Sequence, residues 1–166
     1  NEFLKKEIER DYCKVTYYKG SSSLKDQELI DFLQNKSIAI LGLEKITKNV
    51  LDGCPQLKII CKMGTGTDKI DLNELDKRKI QFHNTPGFNK FAVAELVLIH
   101  TLTLARKIKQ NMDNIEKKQW KQNLGFELRG KCLGLLGFGA IGQEVARVFF
   151  ELGCSVVAYD VNSTLI

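Results

Sequence analysis

Leu133–Asp160 reads LGLLGFGAIGQEVARVFFELGCSVVAYD, and the order of its parts decides the fold. Leu133 to Leu136 is a short apolar run of the kind that forms a buried strand. Gly137, Gly139 and Gly142 follow, then Val145, Val148, Phe149 and Leu152 at helical spacing. A second apolar run, Val156 to Tyr159, ends on Asp160. Strand, glycine turn, helix, strand and acid succeed one another.

Each position has a mechanical reason. Gly137 permits a tight exit from the strand, Gly139 removes a Cβ that would block a pyrophosphate, and Gly142 lets the helix lie close on the strand. The backbone N–H groups around Gly139, Ala140 and Ile141, next to Phe138 in the turn, open a helix N-terminus where the macrodipole also favours an anion. Asp160 falls 18 residues after Gly142, where a carboxylate can accept from both hydroxyls of an adenosine ribose. It would repel a 2′-phosphate, and residues 161–166 contain no Arg or Lys to hold one. The expected cofactor is therefore NAD rather than NADP, bound by Gly137, Phe138, Gly139, Ala140, Ile141, Gly142 and Asp160. A bare GxGxxG recurs by chance; here the strand, helix and acid also stand where the motif requires them. The bland alternative is a glycine-tightened turn that binds nothing.

Composition narrows the classes. A chain of 166 residues can bury one good core or two small, incomplete ones, and 43% hydrophobic with 27% charged residues is an ordinary globular balance. No apolar stretch approaches a bilayer span and NEFLKKEIERDY is not a signal peptide, so a cytoplasmic location without a membrane partner is expected. The net charge of +5 comes from scattered lysines, densest over Lys107 to Lys121. Lacking an aromatic-interleaved basic motif, they read as a solvated helical surface rather than a nucleic-acid face. Cys13, Cys54, Cys61, Cys132 and Cys154 show no CxxC and no metal-ligand spacing. They read as free thiols, mostly buried beside strands, and no metal site is expected.

Taken in order, Asn1 to Tyr12 looks helical with Phe3, Leu4 and Ile8 on one side, and Cys13 to Tyr18 is a β-rich run. Ser21 to Ser23 offers an N-cap for a helix over Leu24 to Gln34 with Leu29, Ile30 and Leu33 inward. Ser37 to Leu41, Leu57 to Met63 and Ile80 to His83 read as strands, with short helices over Thr47 to Leu51 and Ile70 to Lys79 between them. Such near-continuous apolar strands alternating with helices argue for a parallel sheet covered on both faces. From Phe91 to Ile108 an apolar stripe covers most of a helix about four turns long, which must be buried between two bodies or in a subunit interface. A more polar helix over Lys107 to Lys121 and a loop over Gly125 to Lys131 lead into the glycine turn. The domain boundary is placed near Asn89, giving parts 1–90 and 91–166.

Three stretches, GTGTDKIDL (Gly64 to Leu72), NTPGFNKFAVAELVLIHTLTLAR (Asn84 to Arg106) and LRGKCLGLLGFGAIGQEVARVFFELGCSVVAYD (Leu128 to Asp160), together resemble the D-isomer-specific 2-hydroxyacid dehydrogenases in sequence, order and spacing. The resemblance implies an α/β chain: a flavodoxin-like, parallel-sheet substrate domain (1–90, partial), then an inter-domain helix and the first βαβ unit of a Rossmann nucleotide-binding domain (91–166, truncated). It implies hydride transfer between NAD and C2 of a small 2-hydroxy or 2-oxo acid, in a cleft between domains, by an enzyme that forms a homodimer at full length. By position, the backbone of Thr65 and Gly66 would hold the substrate carboxylate with Asn89 nearby. A strand end opening into Gly-Thr-Gly suits that task, because it offers N–H groups that converge on an anion. The family's catalytic Arg, Glu and His follow its second Rossmann strand, so they are expected beyond Ile166 and none is assigned here. On this reading the 166 residues alone are inactive. The other class is a non-catalytic NAD-binding or corepressor-like relative, or a truncated relic. Where similar phosphoglycerate dehydrogenases carry Arg-Ser, Leu41-Gly42 stands here, which removes a bidentate partner for a phosphate.

Other polar residues have plainer readings. Glu95 and His100 are five apart on a helix, about 140° around its axis, and so diverge. Glu95 alone suits the helix N-terminus. His83 reads as a satisfied or solvated histidine, Lys62 as a solvated strand end rather than an anion attractor, Asp71 as a helix cap and Trp120 as a packing residue.

Overall fold

The computed structural model describes residues 2–11 and 15–165. They divide into two compact units, Asn1–Asn84 and Thr85–Ile166.

In the first unit, α1 (Glu2–Asp11) opens the chain. The side chains of Phe3 and Leu4, expected on its inner side, lie outside the described residues, as do Cys13 and Lys14 of the expected β-rich run. The remainder of that run, residues 15–18, forms no strand; Tyr18 instead sets its ring edge-on against Phe32, with centroids 5.8 Å apart. α2 (Asp26–Leu33) begins beyond the serines expected to cap it. Lys25 takes the N-cap position and Glu28 reaches back to its N–H at 3.4 Å, while Asp26 and Glu28 place negative charge where the helix dipole favours it. Leu29 and Leu33 are buried and Ile30 partly so.

β1 (Ile38–Leu41), β2 (Ile59–Lys62) and β3 (Gln81–His83) form a parallel sheet in that order, linked by α3 (Lys48–Gly53) and α4 (Leu72–Lys77). Both linking helices are capped locally: Thr47 Oγ1 accepts from Val50 N–H at 3.3 Å, and Asp71 Oδ1 accepts from Glu74 N–H at 3.1 Å. Ala39, Leu41 and Ile60 join Leu29, Leu33, Val50, Leu51 and Leu75 in one core. The sheet is covered on this face alone among the described residues. Ile38 and Ile40 are 55% and 56% exposed, so the expectation of two covered faces fails. The helices pack with the inward residues of each strand, and the pleat turns the alternate residues away.

In the second unit, α5 (Lys90–Ala105) and α6 (Ile108–Glu116) precede β4 (Cys132–Leu136), α7 (Ala140–Glu151) and β5 (Ser155–Tyr159). β4 and β5 are parallel, in register from Cys132 opposite Ser155 to Leu136 opposite Tyr159. α7 folds back between them and packs on α5, with Ala94, Val145, Phe149 and Cys154 buried and Val97, Leu98, Leu133 and Leu135 around them. The apolar stripe of α5 is thus only half used within its own unit: Phe91, Leu96, Ile99 and Leu104 are exposed. α6 stops at Glu116 rather than continuing to Lys121, because Lys118 turns left-handed at φ 55° and Gln119 N–H closes on the Asn114 carbonyl at 2.8 Å. Of the four described cysteines, all free, Cys54 and Cys154 are buried, Cys61 is half-buried and Cys132 is exposed, which corrects the mostly buried expectation. Among the described residues no helix is long and apolar enough to cross a membrane.

Candidate functional site

The glycine turn stands at the C-terminal end of β4, where a parallel sheet opens its strand ends. Gly137 has φ 101°, a conformation that L side chains rarely adopt, and its N–H closes on the Tyr159 carbonyl at 2.7 Å. A Cβ on Gly142 would collide with the Gly137 carbonyl oxygen, so the helix can approach the strand only because this residue is glycine. Gly139, the N-cap of α7, faces open space: nothing lies within 4 Å of where its Cβ would be.

The first intrahelical bond of α7 runs from Gln143 N–H to the Gly139 carbonyl at 3.0 Å. The amides of Gly139, Ala140, Ile141 and Gly142 therefore stand ahead of the hydrogen-bond ladder at the positive end of the helix dipole. Asp160, just past β5, ties the turn to the neighbouring strand. Its Oδ2 accepts from Phe138 N–H at 2.6 Å and its Oδ1 from Asn162 N–H at 2.9 Å. These amides, Asn162 first and then Phe138, hold its carboxyl below the usual carboxylate range, so the group is ionised at neutral pH. Open amides for a diphosphate and a half-buried carboxylate beside them fit an adenine dinucleotide. Glu144, which the sequence reading missed, is buried on α7 and bonded to Arg147 at 2.6 Å. An acidic residue amid helical polar positions carried no signal of burial.

The first unit gathers a second candidate set at the C-terminal edge of β1, β2 and β3. Three loops meet there through specific bonds. Asn84 Nδ2 donates to the Thr65 carbonyl at 2.9 Å, Lys69 Nζ donates to the Leu43 carbonyl at 3.2 Å, and Gly42 N–H donates to Glu44 at 2.8 Å. Lys62 corrects its sequence reading. It is only 9% exposed, and its Nζ donates to the Gly42 carbonyl at 3.1 Å and lies 3.8 Å from where a Cβ on Gly64 would stand. The Lys62 side chain thus lies buried beside the Gly64–Thr65–Gly66 turn, with a backbone carbonyl as its shown partner. Asp68 Oδ1 lies beside Gly66, 2.9 Å from where a Cβ there would be.

The remaining candidates scatter. Asn89 occupies the N-cap of α5 without a side-chain cap bond. Glu95 lies beyond the first turn of α5 rather than in it, exposed like His83 and His100. Trp120, read as a packing residue, is 101% exposed, because the chain left α6 four residues earlier. Among the described residues no three His, Cys, Asp or Glu side chains cluster as a metal set.

Comparison with known proteins agrees with this architecture. A family model described as D-isomer specific 2-hydroxyacid dehydrogenase, catalytic domain, matches residues 1–159. D-3-phosphoglycerate dehydrogenase of Dictyostelium discoideum is 34% identical over 150 residues, covering 87% of this chain and 36% of that protein. Hydroxypyruvate reductase of Thermotoga maritima is 35% identical over 143 residues, covering 84% of this chain and 47% of that protein. The structure of D-lactate dehydrogenase from Aquifex aeolicus, complexed with NAD and lactic acid, superposes with a TM-score of 0.75 at 30% identity, covering 82% of this chain and 43% of that one. The chain thus spans 36% to 47% of the length of these relatives. With parallel α/β units shared and a match running over almost its whole length, the chain belongs to the D-isomer-specific 2-hydroxyacid dehydrogenase family.

Proposed function

We propose that this chain is the N-terminal portion of an NAD-dependent oxidoreductase that acts on the CH–OH group of a D-2-hydroxy acid, or in reverse on a 2-oxo acid. The observation that carries the reading is the open amide cluster at the start of α7 with Asp160 bonded into the same turn. Residues 1–90 would form part of a substrate domain, and residues 91–166 an inter-domain helix and the start of a nucleotide domain.

When bound, NAD supplies the hydride acceptor, and NADH the donor. The chain's own residues hold and orient. The amides of Gly139, Ala140 and Ile141 receive the diphosphate without any basic side chain, Phe138 lines the turn, and Asp160 accepts from the ribose hydroxyls. At the C-terminal edge of the first sheet the backbone of Thr65 and Gly66 holds the carboxylate of the acid, and Asn89 is assigned to the same substrate by its position in the sequence. Lys62 adds positive charge beside it, which offsets the Asp68 carboxylate at the same turn. The Arg that grips substrate, and the Glu and His that move the proton, are expected beyond Ile166. The exposed apolar row of α5 supports homodimer formation at full length.

The test is titration of the full-length protein with NADH and NADPH by fluorescence, followed by turnover assays with a panel of 2-oxo acids. NADH is expected to bind at least ~10-fold more tightly than NADPH, since Asp160 repels a 2′-phosphate. Absence of NADH binding defeats the reading. NADH binding without turnover of any 2-oxo acid would favour a non-catalytic, cofactor-sensing relative.

A further inference from the structure

The proposed chemistry leaves Asn84 unused, yet its side chain touches the candidate carboxylate turn. β2 and β3 run parallel with Cys61 opposite His83 as their last pair. Asn84 is the next residue along, so it stands level with the point where β2 gives way to the Gly64–Thr65–Gly66 turn. From there its half-buried side chain donates from Nδ2 to the Thr65 carbonyl at 2.9 Å.

The Thr65 carbonyl and the Gly66 N–H belong to one peptide group. No peptide bond among the described residues is cis, and in a planar trans peptide the C=O and the N–H point in opposite directions. A donor that captures the oxygen therefore also aims the N–H. Gly66 needs such an outside constraint. It has no Cβ to restrict its backbone, and its amide has no hydrogen-bond partner among the described residues. Losing the Asn84 donor removes one hold on this peptide and lets its N–H swing out of line with an incoming anion. The Asp68 carboxylate beside Gly66 supplies a competing acceptor that would favour such misalignment.

We infer that Asn84 is a positioning residue: by holding the Thr65 carbonyl it presets the Gly66 N–H as a donor to the carboxylate of the 2-oxo acid. The inference rests on the proposed function and deepens it. Asn84 touches no reacting atom; it removes the reorganisation that carboxylate binding would otherwise require.

The experiment compares full-length wild type with Asn84→Asp and Asn84→Ala. Asp keeps the shape but replaces the donor with an oxygen that repels the Thr65 carbonyl, and Ala removes the group altogether. Three quantities are read: the Kd for NADH, the dissociation constant of oxamate from the NADH complex by fluorescence quenching, and KM and kcat for the best 2-oxo acid. Oxamate dissociation and KM are expected to rise ~10-fold for Ala and further for Asp, the size expected of one hydrogen bond to a bound anion. NADH affinity should be unchanged and kcat within about 2-fold, because a contact equally strong in ground and transition states appears in KM. Unchanged oxamate affinity and KM in either folded variant overturns the inference while leaving the functional reading intact. So does a parallel loss of NADH affinity and thermal stability, which would mark a merely structural bond. Should Asp not fold, Ala decides alone. A wild type that binds NADH but neither oxamate nor any 2-oxo acid removes the functional reading, and the inference with it.

Discussion

At Gly142 the missing side chain matters because the Gly137 carbonyl oxygen already occupies the place a Cβ would need; at Gly139 that place is empty space. The two glycines should therefore fail differently. Gly142→Ala must push α7 off β4 and is expected to lower stability by about 1–3 kcal/mol, read by thermal unfolding. Gly139→Ala should leave the unfolding temperature nearly unchanged and weaken NADH binding ~10-fold, since the new methyl stands where a diphosphate would approach the amides. Equal losses of stability in both would refute this division of labour. Residue roles governed by near neighbours were readable in sequence: the Asp71 cap reaches three residues along the chain, as does the bond to Thr47. Roles governed by distant ones were not. Lys62 is buried by a loop 20 residues away, and Asn84 meets Thr65 across 19. No pattern within either segment announces those contacts.

α5 shows what helical spacing can and cannot say about an element. Its apolar positions run almost all round the axis, so the sequence supports a helix there without saying which side packs first. The structure resolves this through size: Ala94 and Ala105 are the buried positions, and Ala94 shares a core with Val145 and Phe149 of α7. Small residues let two helices come close. Ala94→Leu should force them apart and cost about 1–3 kcal/mol, whereas Leu96→Ala on the exposed side should shift stability by well under 1 kcal/mol, both read from denaturant midpoints. A neutral Ala94→Leu would mean that α5 and α7 do not pack as described. The end of α5 was less legible. The chain breaks at Arg106–Lys107 with no glycine or proline, and Lys107 adopts a left-handed φ of 50°. The break is held by tertiary bonds instead, among them Phe126 N–H to the Ala105 carbonyl at 2.9 Å and the paired side chains of Asn111 and Asn123.

At the scale of the whole molecule, each unit leaves one sheet face uncovered among the described residues: Ile38 and Ile40 in the first, Leu136, Val157 and Tyr159 in the second, with the α5 row in addition. Parallel sheets ordinarily have both faces covered, which is why continuous apolar strands suggested it here. The 166-residue polypeptide is therefore expected to self-associate despite its net charge of +5. Sedimentation should show species larger than the monomer, reduced in Leu96→Glu/Ile99→Glu, and a sharp monomer at micromolar concentration would contradict it. The two units also keep separate cores, with the Asn84–Thr65 bond inside the first and the Phe138–Asp160 bond inside the second. On the proposed reading the acid-holding residues Thr65, Gly66 and Asn89 all precede the residues assigned to the dinucleotide, Gly137 to Gly142 and Asp160. A recombination crossover between codons 90 and 136 would exchange those acid contacts among relatives and carry the dinucleotide turn through intact.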